Sequence, residues 1–267
     1  MQPQILVVSD PPHGDVDVGA AAATLGLAAD IARLKIAFPA PEVLSASNQY
    51  RANEVADALT NVGMSVKVFD CALLADLPWG TPVSTFAFDA DGLRVRAGGE
   101  ETEIASDEPV LAVYCEPPEG FQAPFSRRTK GASPGLTFAE DIEWMPRLDL
   151  WFERQGALDR VTFVSGVTDF SALGDARGDN DLDSLRTLVV QCERRFDDLR
   201  LDARLEHVRP RQRFVMGETG FDIDLRKLYS FGTLLLRQVL DSVSPELRDL
   251  PQYELGSRMA YVLRPPA

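Results

Sequence analysis

The sequence is poor in the residues that most often carry chemistry. Its 267 residues include two histidines, three cysteines, and four lysines against 23 arginines. Neither His13 nor His207 has a second His or a Cys at ligand spacing, so no zinc-site signature is present. Cys71, Cys115 and Cys192 are odd in number, far apart and free of any CxxC. They sit among apolar neighbours and read as small buried hydrophobes, with no disulfide framework and a reducing, cytoplasmic setting expected. No stretch approaches 18 uninterrupted apolar residues, so no membrane span is expected. The first apolar run, Ile5–Val8, is four residues long with no basic residue before it, which is not how a signal peptide starts.

Phosphate-binding and nucleophile motifs are missing too. There is no GxxxxGK(S/T), no GxGxxG and no G-x-S-x-G, and Gly98-Gly99 is followed by acids that repel a nucleotide. No two carboxylates are paired specifically for general acid–base work, so no catalytic residue and no cofactor are assigned. Positive charge is short: 41 acidic side chains face 27 basic ones, a formal net charge of −14. That balance argues against nucleic acid and anionic lipid as principal partners, because both need surplus Lys and Arg. What remains is an ordinary globular composition, 45% hydrophobic and 25% charged.

The period of the apolar pattern divides the chain. In residues 1–70, Ile5–Val8 is strand-like and ends in the turn cluster Ser9–Gly14. Asp17 caps a helix Val18–Leu25 stopped by Gly26. A second helix, Ala28–Phe38, meets Pro39 and Pro41. A short strand, Glu42–Ala46, leads to a third helix, Gln49–Val62, capped by Ser47 or Asn48 and closed by Gly63. Met64–Phe69 alternates as a strand, giving the order β-α-α-β-α-β.

With Leu25-Gly26-Leu27 entering a helix and Leu59–Met64 closing another before a Val-rich strand, this stretch resembles the C-terminal domain of the ribosomal stalk protein L7/L12. The adaptor protein ClpS shares that fold. In the stalk family, lysines on the first two helices receive translational GTPases; here the matching stretch holds Asp30, Arg33 and Lys35 among alanines. The resemblance therefore implies the fold and a non-catalytic helical face offered to a partner protein, with Ile31, Arg33 and Lys35 on it.

Residues 71–82, broken by Pro78, Gly80 and Pro82, read as a linker. From 83 to 200 the chain is β-rich. Val83–Phe88 and Leu93–Arg96 form a hairpin through Asp91-Gly92, and Glu101–Ala105 and Val110–Cys115 extend it as a four-stranded meander. Residues 116–146, rich in Pro and Gly, form a long loop bearing Arg127, Arg128 and Lys130. Leu148–Phe152 and Val161–Val164 follow as strands, then an amphipathic helix capped by Asp179 to Asp183 and reaching about Asp197. An antiparallel β-rich unit closed by a helix, resembling pleckstrin-homology folds in architecture, is the expectation. Residues 201–267 read as a long helix, Asp222–Asp241, and a strand, 253–263, packed on the β-rich unit.

The fold class is α+β, and the expected role is a non-catalytic cytosolic protein-interaction or scaffold subunit. Besides Ile31, Arg33 and Lys35 of the second helix and the basic cluster, Trp79 and Trp144 stand beside prolines in loop-like segments and suit interface anchors. Asp179, Asp181 and Asp183, with Asp175 shortly before them, alternate like a calcium loop. Ser184 and Val190 stand where that loop needs Gly and Glu, so helix capping is the plainer reading and a cation-dependent enzyme the alternative. Small-ligand binding beneath the closing helix of the β unit is a third possibility.

Overall fold

The computed structural model describes residues 4–116, 146–154, 156–206 and 252–264. They belong to two compact units, one holding 4–75 and 252–263, the other 76–116, 146–154, 156–206 and 264. Both helices and sheets are present, and the class is α+β. The expectations for Arg127, Arg128, Lys130, Trp144, His207 and the 222–241 helix lie outside the described residues.

In the first unit the observed order is β1 (Ile5–Ser9), α1 (Val18–Leu25), α2 (Ala29–Ile36), β2 (Glu42–Ser47), α3 (Gln49–Asn61), β3 (Val66–Asp70) and α4 (Cys71–Ala75). The caps are local and follow from side-chain chemistry. Asp17 Oδ1 accepts the Ala20 N–H (3.0 Å) and Asn48 Oδ1 accepts the Arg51 N–H (3.0 Å), each satisfying a free helix N–H. β1 is the central strand of an antiparallel sheet ordered β2-β1-β3. Ile5 and Val7 point to one side and pack with Leu44 against Ala21 of α1 and Ala52, Val55, Ala56 and Leu59 of α3. Leu6 and Val8, on the opposite side, are fully buried as well. Cys71–Ala75 is a short helix at the start of the segment read as a linker.

Residues 253–263 were expected as a strand but lie within a helix, α6 (Gln252–Leu263). Leu255, Met259 and Leu263 recur at a spacing of four, and Glu254 and Arg258 pair one turn apart, a helical rather than a two-residue period. Arg258 is fully buried. Its Nε donates to Glu254 (2.7 Å) and its Nη1 to the Leu74 and Ala75 carbonyls (2.6 and 3.3 Å), so a guanidinium satisfies the last carbonyls of α4.

The second unit is a seven-stranded sheet ordered β10-β7-β8-β9-β4-β5-β6. Its strands are β4 (Thr81–Phe88), β5 (Gly92–Ala97), β6 (Glu100–Ala105), β7 (Val110–Glu116), β8 (Arg147–Arg154), β9 (Ala157–Val164) and β10 (Leu199–Glu206). Two expectations are corrected here. The meander ends at β6, because β7 pairs with β8 and β10 instead. The sheet is also mixed rather than antiparallel, since β10–β7 and β4–β9 are parallel. The physical reason is the crossover. After β9 the chain runs through a 3-10 segment (Phe170–Ala176) and α5 (Asp181–Arg195) before β10, and such a connection returns a strand in its original direction.

α5 lays Leu185, Leu188, Val189 and Cys192 on the face formed by Ala112, Tyr114, Leu148, Leu150, Phe152, Val161 and Phe163. Phe86 meets Phe163 and Phe170 edge-on, at 5.5 and 6.2 Å between ring centres. The central strands are buried on both faces, which is why Val110–Cys115 is apolar without alternation. Among the described residues no helix is long and apolar enough to cross a membrane.

Candidate functional site

β8 and β9 carry a charged constellation on the face turned away from α5. Their register sets Asp149 opposite Thr162 and Trp151 opposite Arg160. Cross-strand partners lie within about 5.5 Å, so the four side chains meet without distortion. Arg160 Nη2 donates to Asp149 Oδ2 (2.7 Å) and Thr162 Oγ1 donates to Asp149 Oδ1 (2.7 Å). The Arg160 guanidinium lies 4.6 Å from the centre of the Trp151 ring. Asp149 and Arg160 are each 1% exposed at the side chain, so the pair is desolvated and held by mutual satisfaction.

The segment leading into β4 rests on this constellation. A Cβ added to Gly80 would stand 2.0 Å from Thr162 Oγ1 and 3.1 Å from Arg160 Nε. Only a residue without a side chain permits that approach. The preceding residue, Trp79, is 62% exposed. A large aromatic is thereby carried on backbone whose next residue is seated against a buried, hydrogen-bonded layer.

A second buried polar group lies at the end of β7. Glu116 receives the Tyr114 hydroxyl and both Arg186 Nε (3.0 Å) and Arg186 Nη2 from α5. Arg186 also pairs with Asp183 (3.1 Å). Burial, reinforced by Glu116, raises the Tyr114 phenol well above its usual range, so it is a hydrogen-bond donor at any physiological pH. Burial likewise pushes the Cys115 and Cys192 thiols up to about 12, which makes both poor nucleophiles.

Arg33 is exposed and pairs with Asp30 (3.2 Å). Ile31 and Lys35 are buried, and Lys35 Nζ donates to the equally buried Glu42 (2.7 Å). Of the three α2 residues assigned to a presented face, one is at the surface. The acidic run caps α5: Asn180 Oδ1 accepts the Asp183 N–H (2.9 Å), Asp183 accepts from Asn180 Nδ2 (2.7 Å), and Asp181 accepts the Gly166 N–H (2.7 Å). These carboxylates serve the helix end and nearby backbone, and among the described residues no three His, Cys, Asp or Glu side chains gather as a metal site would require. Sequence reasoning missed Asp149, Arg160 and Thr162. The available signal was a lone carboxylate inside the apolar run Leu148–Phe152.

No protein-family model matches the chain, and neither curated proteins nor solved structures give a match.

Proposed function

We propose that this chain is a non-catalytic protein-binding or scaffold protein, with Trp79 as its principal anchor. The observation that carries the proposal is the exposure of Trp79 beside the tightly seated Gly80. Trp is enriched among the residues that dominate interface energetics, and a seated neighbouring backbone limits the freedom lost on binding. Beneath Gly80, the Asp149 carboxylate is taken up by Arg160 Nη2 and Thr162 Oγ1. The N-terminal β-α-α-β-α-β order and its L7/L12- and ClpS-like pattern support an adaptor role, with Arg33 on α2 as a second contact.

The test is affinity capture from the native host with wild-type protein, Trp79→Ala and Arg33→Glu, followed by affinity measurement on the recovered partner. Trp79→Ala should weaken binding by roughly 30-fold or more, the weight of a hot-spot residue, with an unchanged melting temperature. Partners retained at wild-type affinity by both variants would refute the proposal.

A further inference from the structure

We infer that His13 is a pH-operated latch between the lead-in to α1 and the α3–β3 turn, closed while the imidazole is neutral and opened by protonation at Nδ1. The inference is independent of the partner-binding proposal. His13 Nδ1 accepts the Ser65 backbone N–H at 3.2 Å. Three backbone bonds flank it: Asp10 N–H to the Ser65 carbonyl (3.0 Å), Gly14 N–H to the Gly63 carbonyl (3.1 Å), and Asp17 N–H to the Val62 carbonyl (3.0 Å). The two segments are in close contact. Gly63 has φ +94°, and a Cβ there would lie 2.2 Å from the Asp15 carbonyl oxygen.

Accepting from an N–H fixes the tautomer, with the lone pair on Nδ1 and the proton on Nε2. Nε2 is buried and has no hydrogen-bond partner among the described residues. A second proton would set one N–H against another at Ser65 and leave the cation without a compensating acceptor at Nε2. The closed latch and the imidazolium are therefore incompatible.

The charged groups around the ring agree with this. Asp10, on the same segment, favours the cation, but burial outweighs it and the His13 pKa is lowered from its ordinary value of 6.5. The facing turn, Val62–Ser65, has no ionisable side chain. Asp15 and Asp17 follow on the lead-in, and Asp17 Oδ1 is engaged at the Ala20 N–H. A base whose folded pKa is depressed stabilises the fold fully above its unfolded pKa. That contribution is lost as pH falls below 6.5 through the folded value. Opening the latch removes one of these four hydrogen bonds between the lead-in to α1 and the α3–β3 turn.

The experiment is NMR hydrogen exchange of the Ser65, Gly14 and Asp17 amides from pH 7.5 to 5, corrected for intrinsic rates, on wild-type protein and on His13→Asn and His13→Ala. Asn offers a non-titrating acceptor where Nδ1 lies. In wild type, Ser65 protection should fall about fivefold, the weight of one hydrogen bond, with the midpoint of the His13 ring-proton titration and below pH 6.5. Protection should be flat with pH in His13→Asn and low throughout in His13→Ala. A parallel fall in wild type and His13→Asn would overturn the inference. So would a His13 midpoint at or above 6.5, or a Ser65 midpoint that differs from that of the His13 ring in wild type alone.

Discussion

Removing the Asp149 carboxylate is the perturbation that most directly tests how the second unit is held. In Asp149→Ala the Arg160 guanidinium stays in a 1% exposed position with its carboxylate partner gone, and Thr162 Oγ1 loses the acceptor 2.7 Å away. Breaking one side of a buried ion pair costs about 3–5 kcal/mol. At a urea slope of about 2 kcal/mol per molar, a cost of about 4 kcal/mol lowers the unfolding midpoint by roughly 2 M. The double variant Asp149→Leu/Arg160→Met removes both charges and keeps an apolar filling over Trp151. It should recover most of that loss, because two desolvated charges exchanged for packed apolar groups are often neutral or stabilising. Urea titrations followed by far-UV circular dichroism and by tryptophan fluorescence give the three midpoints. Trp151, packed on the Arg160 guanidinium, reports on the layer itself. A single variant that costs less than about 1 kcal/mol, or a double variant less stable than the single, would show that the pair is not electrostatically coupled as its geometry implies.

Three further outcomes follow from the same structure. Gly80→Ala forces a methyl into Thr162 and Arg160 and should cost about 1–3 kcal/mol, read from thermal unfolding; a neutral result would mean the approach is looser than described. Asn48→Ala removes the cap on α3 and should cost about 1 kcal/mol, with Asn48→Asp restoring it, by chemical denaturation. Cys115 and Cys192 should resist iodoacetamide at pH 8 until the chain unfolds. Their folded pKa values are raised, so unfolded thiols ionise first as pH climbs past 9. Stability should then fall by on the order of 1 kcal/mol per thiol at pH 10, and Cys→Ser variants would flatten that fall.

The elements readable from sequence are those set by neighbours in the chain. Asp17, Gly26 and Asn48 cap helices through contacts spanning a few residues, so the order of β1 to β3 and their helices was legible. The run Leu199–Glu206 alternates apolar and charged residues and is strand β10, a local signal present but not read. Two things had no local signal. Parallel pairing of β10 with β7 depends on where α5 returns the chain, and the burial of Ile31 and Lys35 depends on the elements packed around α2. Glu42 lies seven residues after Lys35, across a turn, and only the folded chain brings their charges to 2.7 Å.

By itself the sequence determined the class of the protein and much of what it lacks: an acidic α+β chain with few histidines and cysteines and no phosphate-binding motif. Composition and short-range pattern suffice for that, because capping, alternation and charge balance are properties of adjacent residues. Tertiary structure decided which charges are buried as partners and which cap a helix end. Asp179–Asp183, the most metal-like run in the sequence, became a helix cap, while the inconspicuous Asp149 became the centre of a buried layer beneath Gly80. The reason is register. Asp149, Arg160 and Thr162 are 11 and 13 residues apart along the chain, and only the pairing of β8 with β9 places them within hydrogen-bonding distance, out of water.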